Sequence, residues 1–196
     1  MTQGLLVVVL AGGEGRRMGG GKPLRLFRGK RLIDHALDKA ISWSPHVAVS
    51  VRSPNQIGSV SHPLVTDDPA IEGPLAGLAA ALMYANQGGF ERVLTLPCDM
   101  PDLPDDLAQR LDEALSDGAG VAVARCDGRL HPVCAVWRVT AHAGLPAYLA
   151  GGRSSMRGFA NLVGESVVAW DDEFGPAFGN INTQIDLVCS AGGSLN

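Results

Sequence analysis

Three cations, Arg16, Arg17 and Lys22, share one loop with six glycines in the stretch LAGGEGRRMGGGK, directly after an aliphatic run at residues 5–10. Glycines let a backbone approach an anion closely with its N–H groups turned inward. A helix start after such a loop adds a favourable partial charge of a few tenths to ~1 kcal/mol. Residue types and spacing therefore point to phosphate. A P-loop is excluded, because Pro23 follows Gly21-Lys22 and Arg16 stands where its first glycine belongs. The dinucleotide fingerprint G-x-G-x-x-G fails as well, since its sixth place counted from Gly13 is Met18. The plainer alternative is a turn whose arginines form a solvated basic surface. Placement after a buried strand favours the anion.

A second chemical corner is LPCDMP, where Asp99 sits between Pro97 and Pro101, just past another aliphatic run. The prolines stiffen the turn around it. A carboxylate at a strand's carboxyl end, facing a phosphate loop, suits a hard cation, since Mg2+ takes one or two carboxylates plus substrate phosphates. Asp102 and Asp105 are better placed to cap the following helix, so Asp99 is the expected metal ligand and Mg2+ the expected cofactor. The histidines are isolated, and His35, His46, His62 and His142 read as surface or structural groups. Cys98, Cys126, Cys134 and Cys189 form no C-x-x-C pair and read as reduced, apolar side chains.

The elements that must position these groups alternate. The run at residues 5–10 reads as a strand covered on both faces. Ile33, Leu37 and Ile41 mark one stripe of a helix, and residues 46–51 and 63–66 read as strands. A helix is predicted over 74–85, opened by Pro74 in its first turn, then a strand ending at Pro97 and a helix marked by Leu107, Leu111 and Leu115. GVAVAR and HPVCAVW flank an Asp-Gly turn and predict a hairpin. A helix around 157–163 and a strand at 167–170 follow, and Thr183 with Asp186 suggests a last helix start. The expected fold is α/β: a three-layer, Rossmann-like, mostly parallel sheet with helices on both faces and a small antiparallel element in the C-terminal half. Ligands of such sheets collect at the strands' carboxyl ends.

With 196 residues, 46% hydrophobic and 18% charged, the chain fits one domain. A net charge of −4 argues against nucleic acid as a partner and leaves the basic loop to a small anion. The start carries no basic n-region, and no apolar stretch approaches the ~20 residues of a membrane-spanning helix. A cytoplasmic protein with no membrane partner is the expectation.

Read in order, LAGGEGRRMGGGK, EGPLAG, LPCDMP, LHPVCAV and FGNINTQIDL resemble the molybdenum cofactor guanylyltransferases, within the nucleotide-diphospho-sugar transferase fold. The glycine loop marks only the superfamily; GPLAG and the closing N-I-N-T are the more specific pieces. The resemblance implies a Mg-dependent transfer of GMP from GTP onto the terminal phosphate of molybdopterin-bound molybdenum, with release of pyrophosphate. It implies GTP and a molybdopterin-type cofactor as substrates, and transient contact with molybdoenzymes or their chaperones. Leu10, Ala11, Gly12 and Gly13 would meet the nucleotide, Lys22 its phosphates, and Asp68 the nucleoside. Gly73 and Gly77 would line the guanine side, and Asp99 would bind both GTP and Mg2+. Arg17, Lys22 and Asp99 fall on positions tied to catalysis, while Gly20, His131, Asn180 and Asn182 fall on the acceptor side. The chain departs from the family pattern at Gly21, where an aspartate is usual, and at Ser50, a nucleotide-contact position where asparagine is usual. Three alternatives stay open: the same chemistry on other substrates, as a molybdopterin cytidylyltransferase or a sugar-1-phosphate nucleotidylyltransferase, and, with the acid missing at Gly21, a non-catalytic carrier of the cofactor.

Overall fold

The aliphatic run becomes β1 (Gln3–Leu10), a strand with no solvent-facing side. Leu6 and Val8 are buried in one hydrophobic layer, and Val7 and Val9 in the layer on the opposite face. This is a computed structural model, describing residues 3–13, 20–115, 118–183 and 186–187. After β1 come a 3-10 turn at Lys22–Leu24, β2 (Leu26–Phe27), β3 (Lys30–Arg31), α1 (Leu32–Trp43) and β4 (Val47–Val51). A 3-10 turn at Pro54–Gln56 leads to β5 (Leu64–Thr66), α2 (Pro74–Gln87), β6 (Phe90–Pro97) and α3 (Leu107–Glu113). The rest comprises β7 (Val121–Cys126), β8 (Arg129–Arg138), α4 (Leu145–Ala150), α5 (Met156–Val163) and β9 (Glu165–Trp170), with 3-10 stretches at Val139–Gly144 and Asp172–Phe178.

Among the described residues, seven strands form one sheet in the order β5-β4-β1-β6-β8-β7-β9. β5, β4, β1 and β6 are mutually parallel, β8 runs against both β6 and β7, and β9 is parallel to β7. The layer on one face draws on α1 and α3; α2, α4 and α5 contribute to the other. The expected parallel α/β sheet is thus present, and the antiparallel element of the C-terminal half is the β7–β8 hairpin built into it. A separate two-stranded ribbon, β2–β3, was not foreseen; its strands of two residues each are too short to carry a period.

The α1 stripe also differs from the expectation. Ile33 and Leu37 are buried, but Ile41 is 52% exposed, and Ala36 and Ala40 complete the packed face. Alanines let the helix lie close to β1 and β4, so small residues rather than a third large one define the contact. Nor do Asp102 and Asp105 cap α3. Asp102 pairs with Arg28 and Asp105 with Lys39, while Asp106 stands at the helix start. No helix among the described residues is long and apolar enough to cross a membrane.

Candidate active site

The strand ends deliver loops to one rim of the sheet, and a cleft of about 420 Å3 opens there. Leu10, Gly12 and Gly13 line it from the end of β1, Ser50 and Arg52 from β4, and Asp67, Gly73, Pro74 and Gly77 from the β5–α2 connection. Pro97, Cys98 and Asp99 enter from β6, Val133 from β8, and Lys22 and Asn182 from the segments that cross the rim. Gly12, Gly13 and Lys22 of the glycine loop therefore share one cavity with Asp99.

One end of the cleft is ionic. The Lys22 ammonium donates to Asp99 Oδ2 and to Asn182 Oδ1, the latter at 2.8 Å. Both charged side chains are largely buried, at 12% and 16% exposure. Asn182 is brought there by the C-terminal segment, which is fastened three ways. The Ile181 N–H donates to the Asp99 carbonyl at 2.9 Å, and the Ile181 side chain packs with Phe27 and Leu32. Asp186 Oδ2 accepts from the N–H groups of Asn182 and Thr183, both at 2.8 Å, and these bonds hold its carboxyl below the usual aspartate range. Asp186 N in turn donates to Thr183 Oγ1, the reciprocal capping pattern that the Thr-x-x-Asp spacing suggested.

The other end is more deeply buried. Ser50 is fully buried and donates its hydroxyl hydrogen to Asp67 Oδ1. Asp67 is 7% exposed, and burial pushes its carboxyl pKa up, with the Ser50 bond and the charge of Arg52 acting in the other direction. Two glycines make the space. A Cβ on Gly12 would overlap Asp67 Oδ2, and one on Gly77 would stand 2.7 Å from Ser50 Oγ and 3.0 Å from Leu10 Cδ2. Any larger residue at Gly77 would fill the end of the cleft.

Of the residues singled out from sequence, Leu10, Gly12, Gly13, Lys22, Ser50, Gly73, Gly77, Asp99 and Asn182 line the cleft. Ala11 is buried beneath it, its N–H donating to the Ser50 carbonyl at 2.9 Å. Arg17 lies outside the described residues, as do Arg16 and Cys189. Gly20, Asn180 and His131 are described but do not line the cleft. The His131 ring packs against Phe178, 4.9 Å between centroids, and burial together with Arg129 lowers its pKa, so it is neutral at physiological pH.

Asp68 lies beside the main cleft and not in its lining. Its Oδ1 accepts from Ala70 N at 2.8 Å, an Asx turn, and the residue borders an adjoining hollow instead of the main cleft. Asp67, one position earlier, is the acid that enters the cleft. The register follows from β5: the Asp67 N–H continues the ladder onto the Val51 carbonyl at 2.8 Å and thereby faces the strand ends. Adjacent acids offer no sequence signal for that choice.

The donor set fits a hard cation shared with substrate. Among the described residues no three His, Cys, Asp or Glu side chains converge. Among the described residues that line the cleft, Asp99 is the carboxylate beside Lys22, which suits Mg2+ brought in and mostly ligated by phosphate oxygens. Cys98 beside it is buried, and that burial, helped by the Asp99 charge, pushes its thiol up to about 12.

A parallel sheet with a glycine-lined, lysine-bearing cleft at its strand ends has the architecture of the Rossmann-like nucleotidyltransferases. The comparisons are narrower. The model of the MobA-like NTP transferase domain matches residues 7–162. The chain is 40% identical to the molybdenum cofactor guanylyltransferase of Acidiphilium cryptum, covering 96% of this chain and 95% of that one. It is 36% identical to the enzyme of the same name from Pasteurella multocida, over 95% and 99% of the two chains. Molybdopterin-guanine dinucleotide biosynthesis protein A from Archaeoglobus fulgidus superposes with a TM-score of 0.74 at 25% identity, over 94% of this chain and 95% of that one. The chain belongs to the MobA-like NTP transferase family.

Proposed function

We propose that this chain transfers GMP from GTP to the terminal phosphate of molybdopterin-bound molybdenum cofactor. An oxygen of the acceptor phosphate attacks the α-phosphorus of GTP, the bond from that phosphorus to the bridging oxygen breaks, and pyrophosphate leaves. The observation that carries the reading is the convergence of Gly12, Gly13, Lys22, Asp99 and Asn182 in one cleft at the strand ends. Both reactants are polyanions, so bringing them together needs fixed positive charge and donors set in place beforehand. Lys22 supplies the charge, and its bonds to Asp99 and Asn182 hold the ammonium where phosphate oxygens arrive. When bound, Mg2+ on Asp99 adds a second positive centre for the phosphate oxygens. The nucleophile belongs to the acceptor, so the protein's work is positioning. At the far end, Leu10, Gly77, Ser50 and Asp67 enclose the base, with Asp67 as an acceptor for its N–H groups.

Ser50, at a nucleotide-contact position where the family usually carries asparagine, leaves a second reading to test, with CTP as donor. Pyrophosphate release, measured with molybdopterin cofactor and each nucleoside triphosphate in turn in the presence of Mg2+, separates the two. GTP-selective release is expected. Selectivity for CTP would overturn the guanine assignment, and binding without release would leave a carrier.

A further inference from the structure

Neither Gln56 nor Arg25 carries a motif, yet each grips the backbone beside the glycine loop. Gln56 Nε2 donates to the Ala11 carbonyl at 2.9 Å and to the Gly13 carbonyl at 3.3 Å, while its Oε1 accepts from Arg52 N at 3.1 Å. Beyond the loop, Arg25 Nε and Nη2 both donate to the Gly20 carbonyl, at 3.3 and 3.1 Å. Both side chains are held by their own elements. Gln56 ends the 3-10 turn Pro54–Gln56, and the next residue, Ile57, is fully buried. Arg25 closes the turn Lys22–Leu24, its N–H donating to the Lys22 carbonyl at 3.1 Å and its carbonyl accepting from Leu32 N at 3.0 Å.

A loop that is to receive phosphate has a difficulty that glycine does not solve. Each peptide unit presents a carbonyl as readily as an N–H, and a carbonyl turned toward phosphate repels it. In a trans peptide the C=O and the following N–H point in opposite directions. Donors that hold the carbonyls of Ala11 and Gly20 therefore turn the N–H groups of Gly12 and Gly21 the other way. Gly12 and Gly13 line the cleft, and Gly21 immediately precedes Lys22. We infer that Gln56 and Arg25 are positioning residues for polyphosphate binding, two side-chain clamps that orient the backbone on either side of the glycine loop. This rests on the nucleotide-transfer reading and adds to it the residues that preset the cradle.

The test compares the wild-type chain with Gln56→Met, which keeps length and neutrality but loses the donor, and with Arg25→Lys, which keeps charge but loses the fork. Calorimetry with Mg2+ and either GTP or inorganic tripolyphosphate reads the cradle with and without a base, and pyrophosphate release gives kcat and KM. The expected result for Gln56→Met is about tenfold weaker binding of both ligands, with KM raised alike and kcat within about threefold of wild type. Arg25→Lys should weaken both ligands as well, where a residue acting only through its charge would not. Unchanged tripolyphosphate affinity in both variants overturns the inference. So does a loss confined to GTP, which would move Gln56 to the nucleoside end. If wild type binds tripolyphosphate but releases no pyrophosphate with any nucleotide, the proposed function falls, while the clamps still stand or fall on the variants' affinities. Wild type binding neither ligand removes both.

Discussion

Asp99 and Asp67 line the same cleft, yet their surroundings differ. Asp99 faces the Lys22 ammonium, with Asn182 alongside; Asp67 faces the hydroxyl of a fully buried serine, and burial raises its pKa. At the ionic end a charged group is matched by a charged partner that phosphate and metal can displace or join. At the buried end a carboxylate is kept in poor solvation with mainly neutral help. The two environments suit the two parts of a nucleotide: a polyanion that needs charge, and a base that needs a shaped slot with few, well-placed acceptors.

The comparison breaks most visibly at its ionic end. Asp99→Asn keeps the shape and removes the charge that would hold Mg2+ against the phosphates. Turnover should fall by on the order of 10²-fold or more, measured as pyrophosphate release at saturating nucleotide and cofactor. The melting temperature should fall as well, because the substitution leaves a largely buried lysine without its charged partner, so turnover is compared at a temperature where both proteins are folded. Near-wild-type turnover would take Asp99 out of the mechanism.

A test of intermediate size lies at the buried end. Gly77→Ala would put a methyl 2.7 Å from Ser50 Oγ and 3.0 Å from Leu10 Cδ2, with α2 held behind it by fully buried Leu75 and Leu78. Overpacking of this kind costs ~1–3 kcal/mol. A cost borne by the nucleoside slot should appear as GTP affinity weakened roughly tenfold and KM raised alike, with kcat nearly kept. Tripolyphosphate affinity should not move. A loss of kcat with unchanged KM would place Gly77 at the reacting phosphates and erase the distinction between the ends.

How far the sequence reveals these two ends follows from what each is made of. The ionic end is legible because its groups sit in unusual local strings: glycines around Lys22, prolines around Asp99. Asn182 was visible only through a family resemblance, since its route to Lys22 depends on Ile181 packing with Phe27, a long-range contact that no local pattern encodes. The buried end is legible in its glycines but not in its acid. Asp67 and Asp68 are neighbours of one type, and only the β5 register and the Asx turn at Ala70 decide between them. Gln56 and Arg25 left no trace at all, because a side chain that works by holding another segment's carbonyl needs no motif of its own. The sheet read well where strands were long and aliphatic, as in β1, and poorly where two residues sufficed, as in β2 and β3.

The smallest effect sharpens the claim that Asp67 is poorly solvated. Burial holds its pKa above the ordinary value of 3.8, so the folded chain binds this proton more tightly than the unfolded chain does. The sign follows by linkage. The contribution of Asp67 to stability is fully present below 3.8 and is lost as pH rises through the folded-state value, where the buried carboxyl must ionise. Asp67→Asn removes that titration. Whatever constant offset comes from the changed hydrogen bond with Ser50, the melting temperature of the variant relative to wild type should be higher at about pH 7 than at about pH 4, the difference growing through the raised pKa. The same variant should bind GTP more weakly while binding tripolyphosphate as wild type does, because its amide presents one acceptor where the carboxylate presents two. If the melting offset were flat across that pH range, Asp67 would be as well solvated in the folded chain as in the unfolded one, and the contrast between the two ends would reduce to geometry alone.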